Sequence, residues 1–212
     1  MKTLIVLHGG ESWDDDSDYL DFLKNQYWIE SFEPMDPVLG TGWKDHLSVN
    51  AYELGWNVYE PTLPCKHNAK YHEWKIILDR IFALLPNEDE VVLVGHSLGG
   101  NLLIKYLAET KDLPTHRIIV HLVAACYGLG SFSEPTDAGW EQLSSIPNIH
   151  IWHAIDDPVV PVSDATYIAS HLPNAQLHVL EHGEHMRLPE FPKLEEEIFW
   201  GNGNHLVKNN FL

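Results

Sequence analysis

The sequence predicts an α/β protein, with helices on both faces of a mostly parallel sheet of about six strands, in three αβα layers. Two patterns carry this expectation. Short apolar runs alternate with longer amphipathic ones along most of the chain, as expected for parallel strands joined by right-handed helical crossovers. One strand-like run, Val91-Val92-Leu93-Val94, passes through Gly95-His96-Ser97-Leu98-Gly99 straight into the helix-forming stretch that begins at Gly100. A length of 212 residues with 44% hydrophobic content suits one domain of this kind.

Taken in order, strands are expected at Thr3–Leu7, Trp56–Glu60, Val91–Gly95, Ile118–Val123, His150–Ala154 and Gln176–Leu180. Helices are expected at Trp43–Leu54 with Gly55 as its stop, Tyr71–Leu85 closed by Pro86, Gly100–Glu109, Val162–His171 and Pro189–Trp200. The stretch from Gly128 to Pro147 has room for one short helix and none for a cap domain. One segment exceeds the plan. About thirty residues between Gly10 and Trp43 are rich in acids and aromatics, including Trp13, Phe22, Tyr27, Trp28 and Phe32. Leu20, Leu23, Tyr27 and Phe32 suggest one stripe of a short helix that Pro34 and Pro37 end. The domain is therefore read as residues 1–212 with an insertion at about 11–42. This insertion is either a lid or pocket wall beside the site, or a peripheral packing flap. The tail from Gly201 to Leu212 reads as a loosely held end.

The Gly-x-Ser-x-Gly turn lies between a strand and a helix, which is the setting a nucleophile elbow requires. At such a turn the serine backbone is strained, small neighbours avoid clashes, and the hydroxyl stands clear of the sheet. The competing reading is a glycine-rich turn around an inert serine. A nucleophilic serine needs a base, and the base needs an acid to fix its tautomer. In this fold class the chain order is Ser, acid, His. The run His150 to Ala154 leads into Asp156-Asp157-Pro158-Val159-Val160-Pro161. Asp157 is the expected acid, with Asp156 as its local rival and turn-capping carboxylates as the alternative role for both. After the last strand, Glu181-His182-Gly183-Glu184-His185 offers the base. His185 is the choice, aimed back over the sheet by a turn at Gly183, and His182 is a wall or supporting group. The oxyanion hole needs two backbone N–H donors. One belongs to Leu98, directly after the serine. The other falls in His8-Gly9-Gly10 after the first strand, with Gly10 preferred and Glu11 its neighbouring alternative. Trp13, Trp43 and Trp152 are candidate pocket walls, although most of the eight tryptophans belong to a core.

Composition excludes several classes. The formal charge of −18, from 13 Lys and Arg against 31 Asp and Glu, argues against nucleic acid and anionic membranes as partners, because phosphate binding needs cations. The runs Asp14–Asp16 and Glu195–Glu197 read as solubilising surface. Two cysteines, Cys65 and Cys126, make no disulfide framework; Cys126 reads as a buried thiol at a strand end. Fourteen histidines raise the question of a metal, but no His-Glu-x-x-His signature or cysteine cluster is present. No metal and no cofactor are expected. The apolar start ends after about five residues at His8, too short for a secretory leader, and no run reaches membrane-spanning length. A cytoplasmic location is the expectation.

With these motifs in place, the chain resembles the α/β-hydrolase superfamily along nearly its whole length. It is most similar there to small cap-less serine hydrolases of the retinoblastoma-binding-protein type. The residues behind the likeness are the His-Gly strand end at His8, Gly-His-Ser-Leu-Gly at 95–99, Asp-Asp-Pro-x-x-Pro at 156–161, and the stretch from Leu177 to Met186. The resemblance implies an α/β-hydrolase fold and hydrolysis of small esters, with Ser97 as nucleophile, His185 as base and Asp157 as its orienter. Two departures stand out: Gly-Glu-His where the family tends to place glycine directly before histidine, and the longer connection at Gly10–Trp43. The sequence thus points to a serine hydrolase acting on a small-molecule carboxylic ester, with a thioester or amide as the variant bond. The rival is a protein-interaction module on the same fold, with a weak or vestigial site.

Overall fold

A computed structural model of the chain describes residues 1–25, 42–86, 90–111 and 113–201. Six strands form one sheet: β1 (Lys2–Leu7), β2 (Asn57–Tyr59), β3 (Glu90–His96), β4 (Ile118–Val123), β5 (Asn148–Ala154) and β6 (Gln176–Leu180). They lie in the order β2-β1-β3-β4-β5-β6, and every pairing is parallel, so Leu7 sits opposite Gly95 and Val123 opposite both His96 and Trp152. The four central strands are buried almost throughout, as a sheet covered on both faces requires. β2 and β6 form the partly exposed edges.

The helices are α1 (Asp16–Lys24), α2 (Trp43–Glu53), α3 (Tyr71–Leu84), α4 (Leu98–Glu109), α5 (Asp137–Ser144), α6 (Val162–His171) and α7 (Pro192–Trp200). Six of them divide between two cores, and α1 buries none of its residues. Helices α3, α4, α5 and α6 pack on the sheet face carrying Ile5, Leu7, Leu93, Val120, Leu122 and Ile151. Helices α2 and α7 cover the face carrying Leu4, Val6, Val92, Val94 and Trp152. These are the three layers the sequence predicted. Buried positions on α3 fall at Tyr71, Trp74, Leu78 and Ile81, one stripe of a 3.6-residue repeat. Gly55, at φ 80°, stops α2 as expected.

Element ends differ from expectation for physical reasons. Helix α7 begins at Pro192 rather than Pro189; proline suits the first helical position and keeps the residue before it out of the helix. Helix α4 begins at Leu98, two residues earlier than expected, because the serine turn itself opens it. The short helix in the 128–147 stretch is α5, and Thr136 caps it by accepting the Gly139 N–H. The acidic runs do more than solvate. Asp15 caps α1 through the Ser17 N–H at 2.6 Å. Glu195 ties α7 to α2, with Oε1 2.7 Å from His46 Nδ1 and Oε2 accepting from Asn50. Cys126 is buried, and burial pushes its thiol up to about 12.

From β1 the chain steps outward to β2 and then returns to the other side of β1 as β3. Ligands of open α/β sheets bind at such a reversal, beyond the carboxyl ends of the strands.

Candidate active site

Ser97 sits at that reversal, between β3 and α4, in a left-handed conformation at φ 54° and ψ −123°. A non-glycine residue holds such a conformation only where its surroundings over-determine it. Here they do. The Ser97 N–H donates to Val123 O at 2.9 Å, and Ser97 O accepts from Gly100 and Asn101. The motif glycines explain themselves by close approach. A Cβ at Gly95 would lie 2.6 Å from Gly99 O, and one at Gly99 would lie 2.6 Å from His8 O. The turn therefore wedges α4 against both β3 and the end of β1.

Asp157 and His185 come from the loops after β5 and β6. Asp157 Oδ2 lies 2.9 Å from His185 Nδ1. Its Oδ1 accepts the N–H groups of Val159 and Val160 at 2.8 and 2.9 Å. The carboxylate is fully buried, and both of its oxygens have partners. Asp156 has a different job. Its Oδ1 accepts the Gly183 and Glu184 N–H groups at 3.0 and 2.8 Å, fastening the histidine loop to the acid loop. The Glu184 and His182 contacts hold its carboxyl below the usual carboxylate range. The turn that aims His185 is made at Glu184 and Met186, both at positive φ, and not at Gly183, which is held against Ala154. His182 is exposed and meets Asp156.

Ser97 and His185 line one cavity of about 650 Å³, together with Gly9, Gly10 and Glu11. No hydrogen bond joins the Ser97 hydroxyl to the His185 ring among the described residues; such contacts are often long in unliganded enzymes. A Cβ on Gly9 would touch Ser97 Cβ at 2.9 Å, so the His8–Gly10 loop is in direct contact with the serine. The Glu11 N–H donates to Lys66 O at 2.7 Å, whereas the Gly10 N–H has no partner among the described residues. The Leu98 N–H, as the first of α4, has no intrahelical partner. Both donors named from the sequence are thus available.

Two histidines to which the sequence assigned no side-chain role hold this arrangement. His8 accepts the Leu63 N–H through Nε2 and meets Gly9 O through Nδ1, which fixes its tautomer and the glycine loop. His96 contacts His185 O through Nε2 at 3.0 Å, with the two rings 5.0 Å apart. Burial, and then the charges of Lys44 and His185, push His96 down to about 3, so it is neutral and donates. His96 occupies a variable position of the motif, so its type gave no signal.

The tryptophans are a correction. None of Trp13, Trp43 and Trp152 lines the cavity. Trp43 is buried behind His96, with its ring 5.9 Å from that imidazole and Nε1 donating to Met186 O. Trp152 belongs to the sheet core, and Trp13 lies behind Phe22, which does face the cavity. Phe22 comes from α1, which covers Leu20 and Leu23 of the expected stripe. Tyr27, Phe32 and half of the 11–42 insertion (26–41) lie outside the described residues, as does all of the tail after Gly201. No helix of the described residues is long and apolar enough to cross a membrane.

Solved structures share this architecture end to end. The ydeN gene product from B. subtilis superposes with a TM-score of 0.68 over 93% of this chain and 97% of its own, at 16% identity. This chain has the α/β-hydrolase fold. A meta-cleavage product hydrolase, CumD, from Pseudomonas fluorescens matches with a TM-score of 0.60 over 93% of this chain and 89% of its own, at 15% identity. A predicted CIB-like hydrolase from Thermoplasma acidophilum matches with a TM-score of 0.55, 18% identity and coverages of 93% and 83%. No family model and no curated protein sequence matches the chain.

Proposed function

We propose that this protein is a serine hydrolase that cleaves carboxylic esters through an acyl-serine intermediate, with Ser97, His185 and Asp157 as its triad. The observation that carries the reading is the 2.9 Å Asp157–His185 contact, made by loops that share one cavity with a serine strained at φ 54°. In this mechanism His185 Nε2 takes the Ser97 proton as Oγ attacks the ester carbonyl. The Gly10 and Leu98 N–H groups receive the oxyanion. His185 returns the proton to the leaving alcohol, then activates a water that releases the acid. Asp157 keeps the proton on Nδ1 and stabilises the imidazolium. Thioesters and amides differ only in leaving group. The segment at 11–42 contributes a cavity wall through Glu11 and Phe22.

The missing serine–imidazole hydrogen bond favours one rival, an interaction module with an inactive site. Fluorophosphonate labelling and 4-nitrophenyl butyrate turnover separate the two. Active protein labels at Ser97 and hydrolyses the ester, and Ser97→Ala loses both while keeping its unfolding midpoint. Full activity in Ser97→Ala, or a wild type that neither labels nor turns over, refutes the proposal.

A further inference from the structure

The cavity around Ser97 reverses the charge of the chain that builds it. Among the described residues, its 14-residue lining includes Lys44, Lys66 and Arg187 and one acid, Glu11. A chain with 13 Lys and Arg and 31 Asp and Glu would place about one cation and about two acids in such a set. The three cations come from three separate elements. Lys44 lies in the first turn of α2, Lys66 in the loop after β2, and Arg187 two residues beyond His185. Each lines the cavity that holds Ser97 and His185. Lys66 O accepts the Glu11 N–H beside Gly10. Lys44 follows Trp43, which is anchored to Met186 O and packed on His96. Lys44 and Arg187 both act on His96, and Lys44 and Lys66 both act on His8.

No carboxylate among the described residues closes an ion pair with any of the three. The acids nearest Lys44 in effect are Glu60 and Asp45, and both are otherwise engaged, Glu60 with Ser48 and Asp45 with the Gly42 N–H. Lys44 also sits at the helix end where the macrodipole opposes a positive charge. Burial further lowers its hold on the proton. The Trp43 ring, 5.5 Å from Lys44 Nζ, is a neutral partner that offsets part of these costs and leaves the charge unmatched, and a bound anion would offset the rest. Glu11 opposes an anion only on the side of Gly10, where burial raises its carboxyl above the usual range.

We infer that the substrate of this site is an anionic ester, one whose acyl or alcohol half carries a carboxylate that Lys44, Lys66 and Arg187 receive. This rests on the hydrolase reading above. Cations around a low-dielectric cleft concentrate an anionic ligand and orient it, and charge-assisted hydrogen bonds then hold it.

The test compares kcat/KM for paired substrates of similar size. Mono-4-nitrophenyl glutarate against 4-nitrophenyl pentanoate places the charge on the acyl half. 4-Carboxyphenyl butyrate against phenyl butyrate places it on the alcohol half. The expected result is a preference of about tenfold or more for the anionic member of at least one pair, weakening with added salt. In Lys44→Met, Lys66→Gln and Arg187→Gln the anionic-to-neutral ratio within each protein should fall about three- to tenfold. A ratio taken within one variant is indifferent to any shared loss of folded protein. Lys75→Gln, which removes a lysine paired with Asp79 on α3, should leave the ratio unchanged. Turnover of neutral esters that depends on Ser97, with no anionic preference in either pair or with ratios untouched by all three variants, overturns this inference and leaves the hydrolase reading standing. Absence of labelling and of turnover on all four substrates overturns both.

Discussion

Acid should unfold this protein through a histidine stack that lies outside the serine's cavity. His121 on β4, His150 on β5 and His178 on β6 lie side by side on the sheet face beneath α7. The His121 and His150 rings are 4.7 Å apart and the His150 and His178 rings 5.5 Å apart. His150 and His121 are fully buried, and their Nε2 atoms have no hydrogen-bond partner among the described residues. Burial, and then the neighbouring imidazole of His178, push His150 down to about 4. His121 lies well below its usual value for the same reasons, and His178 is lowered too. An unfolded histidine takes its proton near pH 6.5. As pH falls the unfolded chain therefore binds protons first, and stability is lost between about 6.5 and about 4. For His150 alone, the difference in proton binding at pH 5 is about 2 kcal/mol, against nearly nothing at pH 8. His121 and His178 act in the same direction.

Urea unfolding followed by tryptophan fluorescence at pH 8 and pH 5 measures the loss directly. In His150→Phe the loss between the two pH values should be smaller than in the parent by about 2 kcal/mol, whatever the variant's stability at pH 8. The comparison cancels carboxylate contributions common to both proteins. An equal pH-dependent loss in the two proteins refutes the argument. Its physical meaning would be that protonated His150 is rescued by the Glu197 carboxylate, whose Oε1 lies 3.8 Å from Nε2.

Three further outcomes follow from the site. Asp157→Asn should keep the fold, because its remaining oxygen can still accept from Val159 and Val160, but kcat should fall about 10³–10⁴-fold as the amide opposes a proton on His185 Nδ1; steady-state kinetics with circular dichroism checks both halves. Asp156→Ala should free the Gly183 and Glu184 N–H groups, lower the melting temperature and reduce kcat roughly tenfold by loosening the His185 loop. Gly10→Ala should place a Cβ 2.5 Å from Lys66 O and displace an oxyanion donor, with a loss of about 10²-fold in kcat and little change in KM.

The layers, the strand order of motifs and the serine turn were legible because they rest on local patterns. A β-branched run ending in closely spaced glycines allows few outcomes, and α3 and α6 end within a residue of where their apolar stripes and stops place them. Asp157 was legible from its place after β5. Its division of labour with Asp156 was not, since both are aspartates in one turn and only the three-dimensional meeting of two loops assigns Oδ1 and Oδ2 their partners. The tryptophans misled for a related reason. Their number marks them as large apolar groups, but which side of a helix meets the cavity is set by packing, and Trp43 turns its face to His96 and Phe191. His8 and His96 were hidden because their roles lie in bonds to backbone groups distant in sequence.

Net charge is the clearest case of a property that is true of the whole and reversed at the site. At −18 the chain repels anions at long range, and that argues against polyanionic partners such as nucleic acid. Screening confines that repulsion to about 8–10 Å from each exposed charge at physiological salt. Within the cavity the field is set instead by groups a few ångströms away, and those are Lys44, Lys66 and Arg187 around a strained serine. An acidic exterior with a cationic cleft discriminates by size. A large polyanion meets the surface, while a small anion that enters the mouth meets three local cations against Glu11. On this reasoning the overall acidity is a filter on what reaches Ser97, and the same salt titration that weakens the anionic-ester preference should leave neutral esters unaffected.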